Sequence, residues 1–98
     1  MVPLIYSPEA ERDLETITAF IAKDNPKAAE QFGFRLIEHA ELLSVFPKLG
    51  RPVLGKSDVH VLLEGPVRIY YRLAHADNSI QILRFWHTSR DPESLSFD

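Results

Sequence analysis

Cysteine is absent from the 98 residues, and methionine and tryptophan occur once each. Without a thiol there is no disulfide, no cysteine-based zinc site and no thiol nucleophile, a composition that fits a reducing compartment. Glycine occurs only four times, and never in the clustered spacing of a loop that cradles phosphate. No apolar run reaches the length of a membrane span. Met1-Val2-Pro3-Leu4-Ile5-Tyr6 has no basic region and too short an apolar stretch for a signal peptide, so a cytoplasmic location without membrane attachment is expected. The four histidines (His39, His60, His75, His87) are scattered without zinc-motif spacing, and neither a metal nor a cofactor is expected. No GxSxG elbow or Ser/His/Asp set appears.

What is present describes one globular domain over residues 1–98, with an apolar fraction of 45% and an aromatic fraction of 10%. A net charge of −3 argues against holding nucleic acid mainly by neutralising phosphates. The charge is uneven, however. Residues 1 to 46 carry four cations against eight anions, whereas residues 47 to 98 carry seven cations against six anions, so the C-terminal half is the basic one.

Pro3 to Tyr6 suits a short strand, and Ser7-Pro8-Glu9 reads as a helix start with Ser7 as N-cap. Ala10, Leu14, Ile17 and Ile21 then recur at helical spacing; Glu11, Arg12, Asp13 and Glu15 fall between them and read as a solvated face. Asn25-Pro26 restarts the pattern. Ala29, Phe32, Leu36, Ala40 and Leu43 form a second stripe, widened by Phe34 and Ile37 and ended by Pro47. Two amphipathic helices with almost no loop between them form an antiparallel hairpin, which must bury its apolar side against something flat. Three β-patterned segments follow: Asp58 to Leu63, Val67 to Leu73 and Ile80 to His87. The expected order is β-α-α-β-β-β, an α+β domain with a mainly antiparallel C-terminal sheet.

Alternation in Val67-Arg68-Ile69-Tyr70-Tyr71-Arg72-Leu73 puts Val67, Ile69, Tyr71 and Leu73 on one face and Arg68, Tyr70 and Arg72 on the other. If Ala76 to Ser79 form the hairpin loop, His75 faces Ile80 and Arg68 faces His87. A guanidinium beside an imidazole on an open sheet face can clamp a phosphodiester and move a proton. A register slip of one residue would separate the two, and exposed strand arginines are often only solvated.

Ser-Pro-Glu-Ala-Glu-Arg-Asp-Leu at 7–14, Asp-Asn-Pro-Lys-Ala-Ala at 24–29 and Phe-Pro-Lys-Leu-Gly-Arg-Pro at 46–52 occur in order. Val-Arg-Ile-Tyr-Tyr-Arg-Leu at 67–73 and Ile-Leu-Arg-Phe-Trp-His-Thr-Ser-Arg-Asp-Pro at 82–92 follow. With these marks the chain resembles the RelE/ParE superfamily of type II toxin–antitoxin (plasmid stabilisation) toxins over nearly its whole length. The resemblance implies a toxin with the RelE/ParE-like fold, held inactive in a hetero-oligomer by a cognate antitoxin that engages the hairpin groove or the sheet. RelE-like members cut messenger RNA in the ribosome; ParE-like members inhibit DNA gyrase and are not nucleases. In a nuclease, Arg68 and Arg84 would stabilise phosphate charge and His87 would act as general acid or base. Arg51, Lys56, Tyr70, Arg72 and Arg90 are candidates for contacting the target. The chain lacks the dense lysine cluster of the RelE type and has no tyrosine after His87, and its uninterrupted hairpin, Gly-Arg-Pro segment and acidic balance resemble ParE. Gyrase inhibition is therefore the leading expectation, ribosome-dependent cleavage the alternative, and an inactive protein that only binds its antitoxin the third.

Overall fold

Ser7 begins the fold by serving two elements at once. Its Oγ accepts a hydrogen bond from the Ala10 N–H (3.0 Å), capping the helix that starts at Pro8, and donates to the Leu83 carbonyl (2.8 Å) of the last strand. In the computed structural model, which describes residues 2–56, 58–74, 77–90, 95 and 97, strand β1 (Leu4–Tyr6) leads into helix α1 (Pro8–Ala22) and helix α2 (Pro26–Leu42). Asn25 caps α2 by accepting from the Ala28 N–H at 3.0 Å. Strands β2 (Arg51–Pro52), β3 (Val59–Glu64), β4 (Val67–Ala74) and β5 (Ser79–His87) complete the chain, in the sheet order β1-β5-β4-β3-β2. The expected α+β fold, a helical hairpin on a sheet, is therefore present. Two features extend the expected order: β2 is an additional two-residue strand, and β1 runs parallel to β5 while the remaining pairs are antiparallel.

Both helices lie on one face of the sheet. Ala10, Phe32, Leu36, Ala40 and Leu43 pack there against Val67, Ile69, Tyr71, Ile80, Ile82 and Phe85, with Leu14, Ile17 and Ile21 at the margin. Phe34 does not widen this stripe; it is 61% exposed on the outer side of the hairpin. The second apolar stripe is narrower than its sequence suggests because the sheet fills only one arc of the helix.

The β4–β5 hairpin departs from the expected register. Ser79 belongs to the strand, paired with Ala74, and Leu73 rather than His75 faces Ile80; His75 and Ala76 lie outside the described residues. Asn78 takes the left-handed conformation (φ 52°), and the Ser79 hydroxyl donates to Asp77 Oδ1, so the turn closes one residue earlier. Further along, Tyr71 pairs with Ile82 but Tyr70 with Arg84, leaving Leu83 as the extra residue of a β-bulge. In consequence Arg68 faces Trp86, and His87 faces Val67.

Tyr71 fastens the loop that follows α2. Its hydroxyl accepts from the Gly50 N–H and donates to the Pro47 carbonyl, both at 2.9 Å. A Cβ at Gly50 would lie 2.6 Å from the Val61 carbonyl oxygen and 2.8 Å from the Tyr71 ring, so only glycine fits. Burial pushes the Tyr71 phenol above its usual value of 10.0, against the opposing pull of the Gly50 N–H.

Leu36→Ala should destabilise the fold by about 2 to 5 kcal/mol as a cavity opens, whereas Phe34→Ala should cost no more than about 0.5 kcal/mol. Denaturant midpoints of the two variants check this; equal losses would mean that Phe34 faces the core. For Tyr71, the raised folded value means stabilisation that is complete below the unfolded value and lost as pH climbs through the folded one. The stability advantage of wild type over Tyr71→Phe should thus shrink as pH rises past the ordinary phenol value of 10.0, a trend that urea titrations would detect.

Candidate functional site

Residues directly opposite one another in paired strands share a face, so the register places Arg51, Val61, Tyr70 and Arg84 in one row across the sheet face that carries no helix. Leu63, Arg68 and Trp86 form a second row, and Val59, Arg72 and Gln81 a third. The face thus gathers Arg68, Tyr70 and Arg72 as the alternation implied, and β2 adds Arg51 to them. Lys56 is exposed in the turn after β2. Arg90 lies with its guanidinium 4.0 Å from the Trp86 ring centroid, a cation–π contact that holds it against the sheet. Although they point away from the helices, Val59, Tyr70, Leu83 and Trp86 are buried as a second apolar cluster, with Val53, Val61, Leu95 and Phe97 packed against it.

Arg84 is committed elsewhere. Its Nε and an Nη donate to the two oxygens of Asp13 at 2.7 and 2.9 Å, and Asp13 Oδ2 also accepts from the Phe85 N–H at 3.1 Å. The paired carboxylate raises the Arg84 pKa further, keeping the guanidinium charged. Asp13 is 7% exposed, so it is not part of the solvated face that its acidic neighbours suggested. Two clues were available: Asp13 lies three residues after Ala10 and four before Ile17, at the margin of the apolar stripe, and Arg84 interrupts the apolar run Ile82-Leu83-Arg84-Phe85-Trp86.

His87 occupies the face opposite Arg68, in register with Val67. Its Nδ1 lies 3.1 Å from the Ser89 backbone N–H and 2.7 Å from the Ser89 hydroxyl. Because a backbone N–H can only donate, Nδ1 must be the acceptor and the proton sits on Nε2. His87, Phe20, Phe32, Pro66 and Arg90 border a cavity of about 400 Å³ between α1 and the end of β5, with Asp13 among its walls. The alternation argument therefore grouped Arg68, Tyr70 and Arg72 rightly, while the pairing of Arg68 with His87 fails through the early turn and the bulge.

A second concavity follows the outside of the helical hairpin, about 540 Å³ in volume and bordered by Leu14, Thr18, Ala22, Ala29, Gly33, Phe34 and Ile37. Small residues open it: a Cβ at Gly33 would meet Thr18 Cγ2 at 3.2 Å. Phe20 at 72% exposure and Phe34 present apolar surface on the helices, the kind of surface that marks a partner site. Among the described residues no cluster of three or more metal-binding side chains occurs, and no helix is long and apolar enough to cross a membrane.

The model of the ParE toxin of the type II toxin–antitoxin system ParDE matches residues 4–92. Among solved structures, the chromosomal ParDE toxin–antitoxin system of P. aeruginosa superposes with a TM-score of 0.75 at 26% identity, over 89% of this chain and 96% of that one. The RelBE2 toxin–antitoxin complex of Mycobacterium tuberculosis shares the fold at a TM-score of 0.64 and 24% identity, over 88% of this chain and 96% of the other. No curated protein matches the chain.

Breaking the Asp13–Arg84 pair from one side should be costly, because the survivor is left as an uncompensated charge. Asp13→Ala is expected to lose about 3 to 5 kcal/mol, and Arg84→Met a similar amount, while the double variant recovers part of the loss. Thermal or denaturant unfolding of the full double-mutant cycle measures the coupling, and strictly additive losses would contradict it.

Proposed function

The chain belongs to the ParE toxin family of type II toxin–antitoxin systems, and we propose that it arrests growth by binding and inhibiting DNA gyrase and is neutralised by a cognate antitoxin in a toxin–antitoxin hetero-oligomer. The observation that carries the binding mode over RNA cleavage is the separation of the nuclease candidates. Arg68 lies on the open face, His87 on the other with its proton held on Nε2, and Arg84 is engaged by Asp13. A general acid or base must reach the same phosphodiester as the cation that stabilises it, which this arrangement disfavours. Recognition of a protein target needs no such convergence. Arg51, Arg68, Arg72 and Arg90 supply the arginine character that protein interfaces favour.

The antitoxin reading is supported by the neighbours, both solved toxin–antitoxin systems, and by the hairpin groove. An amphipathic segment fits there by placing apolar anchors against Leu14, Ala22, Ala29 and Ile37.

Purified protein should inhibit supercoiling by gyrase, and its induction should stop growth without codon-positioned cuts in cellular RNA. Arg68→Ala and His87→Ala should stay folded by circular dichroism and change toxicity only modestly, unless Arg68 is an interface anchor. Loss of RNA cuts together with all toxicity in folded His87→Ala, a change of about a hundredfold or more in cleavage rate, would select the ribosome-dependent nuclease. Silence in both assays would select a protein that only binds its antitoxin. For neutralisation, Gly33→Gln should fill the groove and abolish co-purification with the product of the adjacent reading frame; unchanged co-purification would place the antitoxin elsewhere.

A further inference from the structure

The cavity between α1 and the end of β5 has walls of two kinds. Ile17, Phe20, Ile21 and Phe32 supply hydrocarbon, whereas His87, Ser89 and Arg90, close together in the chain, supply polar groups. The turn that carries these polar groups is fixed by hydrogen bonds. The Thr88 N–H donates to the Pro66 carbonyl at 2.8 Å, the Arg90 N–H to the His87 carbonyl at 3.0 Å, and the Trp86 Nε1–H to the Arg90 carbonyl at 3.4 Å. Because the Ser89 N–H occupies His87 Nδ1, the imidazole donates through Nε2. The Arg90 guanidinium rests over the Trp86 ring, a stacking that keeps its in-plane N–H groups for an anion. Among the described residues it has no carboxylate partner. The acid in the walls is already compensated, since both oxygens of Asp13 accept from Arg84. The cavity thus sets one uncompensated positive charge beside apolar walls.

We propose that this cavity binds a small amphipathic carboxylate, a free molecule with an aromatic or branched apolar body and one anionic end. Its volume of about 400 Å³ lies in the range of small-molecule sites. The body packs among Ile17, Phe20, Ile21 and Phe32, and the carboxylate accepts from Arg90 and from His87 Nε2–H. An ammonium would meet Arg90 as a like charge, and a wholly apolar ligand would bury both donors without an acceptor. The site is separate from the hairpin groove, because α1 turns Leu14, Thr18 and Ala22 to the groove but Ile17, Phe20 and Ile21 to the cavity. A ligand there touches both α1 and the end of β5, the junction that Asp13 and Arg84 hold, so occupancy stabilises the fold by mass action.

Trp86 is the only tryptophan, and its indole N–H, bonded to the Arg90 carbonyl, gives a single reporter signal in the nitrogen–proton spectrum of labelled protein. Titration with 3-phenylpropionate should move that signal in a saturable, salt-weakened manner and raise the melting temperature. The neutral 3-phenylpropionamide should bind about tenfold or more weakly, the loss expected of one charge-assisted hydrogen bond, and propionate, which lacks the ring, should not saturate. Arg90→Gln should lower the affinity for the acid to that of the amide and leave the amide unchanged, while Phe20→Ala should weaken both. Both side chains are exposed, so the variants should fold; if Arg90→Gln does not, the comparison of acid with amide on wild type still decides. Equal binding of acid and amide would overturn the proposal, as would the absence of a saturable response. Tighter binding of acetyl-Gly-Gly-Phe than of 3-phenylpropionate would refute a free ligand in favour of the carboxyl end of a partner chain.

Discussion

Asp13 decides how the helices and the sheet meet. Strand β1 ends at Tyr6 and pairs with β5 only from Ile80 to Ile82, so from Leu83 onward the outer edge of β5 has backbone groups without a strand to take them. Helix α1 supplies the partners instead: Ser7 Oγ–H for the Leu83 carbonyl and Asp13 Oδ2 for the Phe85 N–H. A buried backbone group left without a partner is expensive, and here two side chains of a helix complete the hydrogen bonding of a strand. The carboxylate then needs a cation. Arg84 meets it with two parallel hydrogen bonds, a geometry that fixes orientation as well as distance.

That arrangement bears on the distribution of chemistry across the molecule. Arg84 belongs by register to the open face, opposite Tyr70, but the adjacent bulge lets its head group reach α1 at the sheet edge. One of the cations that the nuclease reading would set against the phosphate is thereby withdrawn into the scaffold. Arg51, Arg68 and Arg72 are left facing outward with Arg90 stacked on Trp86. The open face is accordingly basic, with its aromatics Tyr70 and Trp86 buried beneath the arginines' row.

Local signals in the chain carried the fold further than the site. Ser7-Pro8 and Asn25-Pro26 mark helix starts because caps act over three residues, and the stripes through Leu36 and Val67 reveal buried faces because their periods repeat. Family marks from Ser7 to Pro92 added the fold class. The hairpin register was harder to read, since it depends on a left-handed Asn78 and on one unpaired residue at Leu83, and neither leaves a periodic trace. Asp13 was obscured for a different reason. It stands among Glu11, Arg12 and Glu15, and its burial follows from an arginine 71 positions away, information that no local window contains. Likewise the closeness of Gly50 to Tyr71 arises only once the sheet is assembled.

The two margins of the sheet are short. On one side β1 offers three residues; on the other β2 offers Arg51 and Pro52, and proline has no N–H to give. Beyond β2, only Leu62 to Glu64 of β3 continue that margin. A partner strand laid along either side would form few main-chain hydrogen bonds, so pairing through the generic backbone contributes little to affinity. Under the proposed binding mode, recognition is then written in side chains, in the shape of the helical groove and the charges of the open face. A code of that kind changes one residue at a time. Two toxins with this same backbone can be insulated from each other's antitoxins by a handful of substitutions, without any alteration of the fold that carries them.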